Sequence, residues 1–144
     1  MKNFQKILAI SLFATSSLLV GCKREELTPI GVLTEKPAEM SVQKISGNFT
    51  NGDGENASGK ASIYKKDNTY QLVFENLMVN NGPNLHVYIS QEIAPKNFVD
   101  LGDLKSIKGN QVYDIPSNVD ASTYKYALVY CKQYSHLFGY APLK

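Results

Sequence analysis

From Ile45 onward the chain alternates apolar and polar residues with a period of two. Ala61 to Tyr64, Tyr70 to Glu75, Leu85 to Ser90, Gln111 to Ile115 and Tyr124 to Cys131 all alternate or run apolar over the length of a strand. Turn-forming clusters separate them: Asn51-Gly52-Asp53-Gly54, Lys66-Asp67-Asn68, Asn80-Asn81-Gly82-Pro83, Gly102-Asp103, Gly109-Asn110 and Pro116-Ser117-Asn118. No window of helical length carries a 3.6-residue stripe. The spacing predicts an all-β domain, a single antiparallel sandwich or barrel of about seven to eight strands, with a short irregular or helical piece at 94–104.

The first residues follow a different pattern. Lys2 and Lys6 precede an apolar run from Ile7 to Val20, too short to span a bilayer comfortably, and the run closes on Leu19-Val20-Gly21-Cys22. That ending resembles a bacterial lipobox, whose cysteine becomes the acylated first residue of the mature chain. The expected organisation is a removed lipoprotein signal peptide at 1–21, a lipidated Cys22 with a flexible tether at 22–43, and the β domain at 44–144. Lys23, which is not Asp, resembles the sorting rule for an outer membrane. The expected location is therefore the cell envelope, lipid-anchored, on the outer membrane.

Charge supports the same division. The whole chain of 144 residues has 15 Lys and Arg against 13 Asp and Glu, and loss of Lys2 and Lys6 brings the basic count down to 13. The mature side chains then balance. No clustered positive charge remains for nucleic acid or for a polybasic membrane patch, so membrane attachment falls to the lipid.

Candidate chemistry rests on few residues. With Cys22 acylated, Cys131 is the only free thiol, and His86 and His136 are the only histidines. Paired-cysteine zinc motifs, the haem-attachment pattern and a glycine-flanked nucleophilic serine are absent. The 51–56 stretch has calcium-loop residue types, yet Ser62 stands where a twelfth-position Glu is needed, so it reads as a turn. No carboxylate pair can be defended from spacing, which ranks a turnover enzyme behind an electron-transfer or binding module.

Several segments carry a family resemblance. They are Ser46-Gly47-Asn48-Phe49, Gly59-Lys60-Ala61, Gly82 to Ser90, Asp100 to Lys105, Gly109 to Pro116, Val129-Tyr130-Cys131-Lys132 and Phe138 to Leu143. In order and spacing they resemble the electron transfer DM-thirteen domain family over about 45–143. The resemblance implies a small β-rich extracellular domain with a redox-active cysteine, here Cys131, acting as a bare thiol or as a ligand to a prosthetic group such as haem. It also implies a redox partner protein.

The residues themselves leave alternatives open. Cys131 shares one side of its strand with Val129 and Ala127, while Tyr126, Leu128 and Tyr130 share the other. A small side turned inward makes the thiol a buried packing residue; a tyrosine side turned inward exposes it or places it in a cleft. His86 lies on the polar side of its strand with Tyr88 and Ser90 and reads first as a hydrogen-bonded residue. As a haem or metal ligand it would have to converge with Cys131 or His136. The competing function is a non-redox module that binds a ligand or protein of the envelope.

Overall fold

The structure, a computed structural model, describes residues 26–39 and 41–144. The expected signal peptide, Cys22 and the rest of 1–25 lie outside the described residues. Ten strands run in chain order as β1 (Val32–Thr34), β2 (Val42–Asn48), β3 (Thr50–Asn51), β4 (Ala57–Lys66), β5 (Thr69–Val79), β6 (Leu85–Ser90), β7 (Phe98–Asp103), β8 (Lys108–Ile115), β9 (Tyr126–Cys131) and β10 (His136–Pro142). They form two five-stranded sheets, ordered β1-β8-β5-β4-β2 and β3-β10-β9-β6-β7. All pairings are antiparallel except β1 with β8. The expected all-β sandwich is the observed architecture.

Period-two patterning puts one face of each sheet inside. Ile63 pairs with Leu72 and Ala61 with Phe74 across β4 and β5, and all four are buried. The second sheet answers with Leu85, Val87, Ile89, Ala127, Val129 and Phe138. Phe74 sits at the centre of this core, edge-on to Phe49 at 5.0 Å and tilted against Tyr113 at 5.6 Å. Each such side chain removed from water stabilises the fold by roughly 1.5–3 kcal/mol.

The second sheet is covered on its outer face as well. Tyr88, Leu128 and Leu137 form a smaller cluster there, joined by Ile93, Tyr126, Tyr130 and Tyr140. All six residues of β6 are consequently buried.

Two segments differ from expectation. Residues 94–104, expected to be irregular or helical, contain β7, which pairs with β6 through Tyr88 and Asp100. Phe98 stacks on Tyr88 at 4.6 Å and supplies the apolar contact that a six-residue edge strand needs. Its neighbours Leu101, Gly102 and Asp103 give no clear alternation, which hid the strand.

The second segment was expected to be a tether. From Leu27 onward it is bound to the sandwich. Leu27 bridges to Pro83, Thr28 donates through Oγ1 to the Gly82 carbonyl at 3.2 Å, and Ile107 N–H donates to the Pro29 carbonyl at 3.0 Å. β1 then adds to the sheet. Glu35 closes the segment by accepting from Val112 N–H at 2.7 Å and pairing with Lys105 at 2.8 Å. Polar composition suggested a free linker, but backbone groups make these bonds and need no apolar side chains.

Two glycines permit close approaches. A Cβ on Gly109, where φ is +98°, would stand 2.2 Å from the Leu33 carbonyl oxygen, so only glycine lets β1 lie against β8. A Cβ on Gly47 would stand 1.7 Å from the Pro142 oxygen. There the two sheets meet, through reciprocal backbone bonds between Ser46 and Lys144.

Candidate functional site

Cys131 ends β9, and its side chain turns inward with Val129 and Ala127, which resolves the strand parity. The residue is 1% exposed and belongs to the main core. Its thiol donates to the Pro83 carbonyl oxygen at 3.2 Å. On either side its ladder partners are Leu85 of β6 and His136 of β10. Directly opposed residues of an antiparallel pair share a face, with Cβ atoms about 4.5–5.5 Å apart.

His136 is therefore the cross-strand neighbour of the thiol. Its Nε2 lies 3.2 Å from Glu55 Oε1, and its ring meets Phe138 edge-on at 5.4 Å. Glu55 is held in turn by Asn80, whose Nδ2 donates to Oε2 at 2.8 Å. Glu55 and His136 are thus an ion pair at the same end of the sandwich as Cys131, which stands opposite His136 in the β9–β10 register.

Beyond Pro83 lies an open cleft of about 920 Å³, lined among others by Thr28, Pro83, Asn84, Leu85, Asp103 and Lys132. Leu27, Thr28 and Pro29 form one of its walls. Cys131 does not line it. The acceptor of its thiol, Pro83, and its partner Leu85 both do, so one layer of residues separates sulfur from solvent space.

His86 takes the opposite face. It is paired with Tyr130, not with Cys131, and is 9% exposed. Its Nδ1 lies 2.9 Å from Asp100 Oδ1, and its Nε2 lies 3.0 Å from Asn84 Oδ1 and 3.1 Å from Asp103 Oδ1. Asp100 also accepts from Gly102 N–H at 2.9 Å and from Lys132 Nζ at 3.2 Å. Burial pushes the Asp100 carboxyl up, but the bonds from His86, Gly102 and Lys132 outweigh it and hold the group below the usual carboxylate range. Beside it, burial foremost, then the charges of Asp100, Tyr130 and Cys131, push the Tyr88 hydroxyl up to about 12.

The three residues considered as haem or metal ligands do not converge. Cys131 and His136 share the inner face, while His86 is on the outer face with both ring nitrogens engaged. Among the described residues no group of three or more His, Cys, Asp or Glu side chains could hold a metal ion. Cys131 is 1% exposed within the main core that also holds Leu85, Val129 and Phe138, so a planar group has no direct access to the sulfur in this structure.

Tyrosines near the thiol in sequence divide by location. Tyr126, Tyr130 and Tyr140 join the outer cluster, Tyr124 packs against the main core, and Tyr134 stands at the β9–β10 turn. Glu55, Pro83, Asp100 and Lys132 were not singled out as site residues by the sequence. Pro83, Asp100 and Lys132 lay within segments of the family resemblance and Glu55 within the 51–56 turn, but nothing in the local pattern of Glu55 pointed to His136, 81 residues away.

Comparison with curated proteins and with solved structures returned no match. The sequence profile of the family Electron transfer DM13 matches residues 48–143, from the end of β2 to the last core residue. That span holds both sheets apart from β1 and most of β2, and it includes Cys131, His136 and Glu55, so the chain belongs to the Electron transfer DM13 family.

Proposed function

We propose that this chain is an envelope lipoprotein, anchored by acyl chains on Cys22, whose DM13 domain performs thiol-based electron transfer through Cys131. The observation that carries this reading is the opposition of Cys131 and His136, with Glu55 behind the imidazole. His136 takes the thiol proton, and Glu55 stabilises the imidazolium formed. The thiolate then attacks one sulfur of a disulfide on an envelope partner. A mixed disulfide forms, the partner's own S–S bond breaks, and the departing partner thiolate takes the proton from His136. The lipobox-like Leu19-Val20-Gly21-Cys22 and Lys23 support anchoring at the outer membrane.

Burial sets the access. At 1% exposure the sulfur reacts only after local opening of the Pro83 turn, which is a sub-global fluctuation rather than unfolding. The test is reaction of the folded chain with an aromatic disulfide reagent across low denaturant concentrations. The expected result is a slow reaction, absent in Cys131→Ala, whose rate does not track global stability. A thiol that reacts only in proportion to the unfolded fraction overturns the redox role. Anchoring is tested separately, because Cys22→Ser is expected to move the protein from the membrane to the soluble fraction.

The cleft favours a second reading. Asn84, Asp103, Lys105, Lys132 and Gln133 set polar groups around a mainly apolar lining of Leu27, Pro29, Pro83, Leu85 and Leu104 that excludes the thiol, as a binding module requires. Capture of an envelope partner that survives Cys131→Ala supports this reading over the first.

A further inference from the structure

The N-terminal segment reaches the sandwich at one end, and that end is also where the thiol lies. Leu27 bridges to Pro83 in the turn before β6. Met78 near the end of β5, Lys108 at the start of β8 and the 132–135 turn between β9 and β10 belong to the same end. Val32, Lys108 and Met78 are in register across β1, β8 and β5, so their side chains share the outer face of the first sheet.

Large side chains are unusually exposed there. Leu27 is 60% exposed, Ile30 68%, Met78 58% and Tyr134 57%. Lys108 and Lys132 belong to this end, as do the carboxylates of Glu26, Glu55 and Asp103. Apolar side chains, a tyrosine and lysine stems together suit the boundary between lipid headgroups and acyl chains, where each finds both apolar and wet surroundings.

Chain length gives the second argument. Because the N-terminal strap, Leu27 to Glu35, is bonded to the sandwich from its first residue, only five residue steps separate it from Cys22, a reach of at most about 18 Å. A lipid on Cys22 therefore holds this end against the membrane rather than on a long stalk. We infer that the end bearing Leu27, Ile30, Met78 and Tyr134 rests on the surface of the bilayer that carries the anchor. The inference rests on acylation of Cys22, as proposed above. The cleft wall at 27–29 and the Cys131 end of the sandwich then face the membrane.

The chain contains no tryptophan, so single replacements report cleanly. The acylated full mature chain is reconstituted in vesicles of phosphatidylethanolamine and phosphatidylglycerol with a brominated acyl lipid as quencher. Met78→Trp and Tyr134→Trp are expected to lose about half or more of their emission and shift to the blue, as at an interface. Ser117→Trp, on the turn after β8 at the far end, is expected to keep its emission. Circular dichroism identifies any variant that fails to fold, and the two reporters at the seated end are independent. Equal emission from all three, with the acyl group on Cys22 verified by mass, overturns the seating but leaves the anchor intact. A protein with no acyl group removes both.

Discussion

Cys131 and His136 close the β9–β10 hairpin as directly opposed residues on the inner face, whereas His86, one residue out of step on β6, faces the other way. A single position of strand parity therefore decides which histidine can serve the thiol. His136→Gln is expected to lower the rate of the folded-state thiol reaction about tenfold or more with little loss of stability, since a general base contributes at least that much. Glu55→Gln is expected to lower it less. The measurement is the pH dependence of reaction with a disulfide reagent beside a denaturant midpoint; an unchanged rate in both variants removes the base from the mechanism.

The strap depends on a glycine. Gly109→Ala forces a Cβ to within 2.2 Å of Leu33 oxygen at a φ of +98°. It is expected to cost roughly 1–3 kcal/mol and to remove amide protection from Val32 to Glu35 while the central strands keep theirs. Hydrogen exchange resolved by peptide checks this.

Acid stability follows from two carboxylates. Asp100 and Glu35 both lie below their ordinary range. In each, burial acts upward first but is outweighed, for Glu35 by Lys105 and the Val112 amide. A depressed folded-state value means that the stabilisation is present above the unfolded value, near pH 4, and is lost as pH falls through the lower folded value. The unfolding free energy is expected to decline below about pH 4, and Asp100→Asn to flatten part of that decline. At neutral pH the same substitution is expected to cost about 1–3 kcal/mol, because His86 and Lys132 lose a partner.

Alkaline behaviour has the opposite sign. Burial first of all raises the Tyr88 hydroxyl to about 12 and raises Tyr113 as well. A raised value keeps the neutral form in the fold, so that contribution is full below the unfolded value near 10 and is lost as pH climbs through the folded one. Absorbance titration is expected to show late-ionising tyrosines that merge with the rest in denaturant, and Tyr88→Phe is expected to remove one of them.

Local chemistry explains what was legible in the chain. Alternation at Ala61 to Tyr64, Tyr70 to Glu75 and Gln111 to Ile115 marked strands with one buried face, and Lys66-Asp67-Asn68 marked the hairpin where Asp67 adopts φ of 51°. β7 was hidden because its stability comes from the Phe98–Tyr88 stack, a contact with another strand. The strap was hidden because its bonds are made by backbone atoms, which every composition shares.

The sequence by itself determined the β class, the family and the short inventory of two cysteines and two histidines, because periodicity, motif order and residue counts are properties of a single chain. Tertiary structure decided which side of β9 turned inward, which histidine met Cys131, and how far the N-terminal segment was bound. Those outcomes depend on sheet register and on backbone bonds between residues far apart in sequence, such as Glu55 with His136, and no local pattern encodes them.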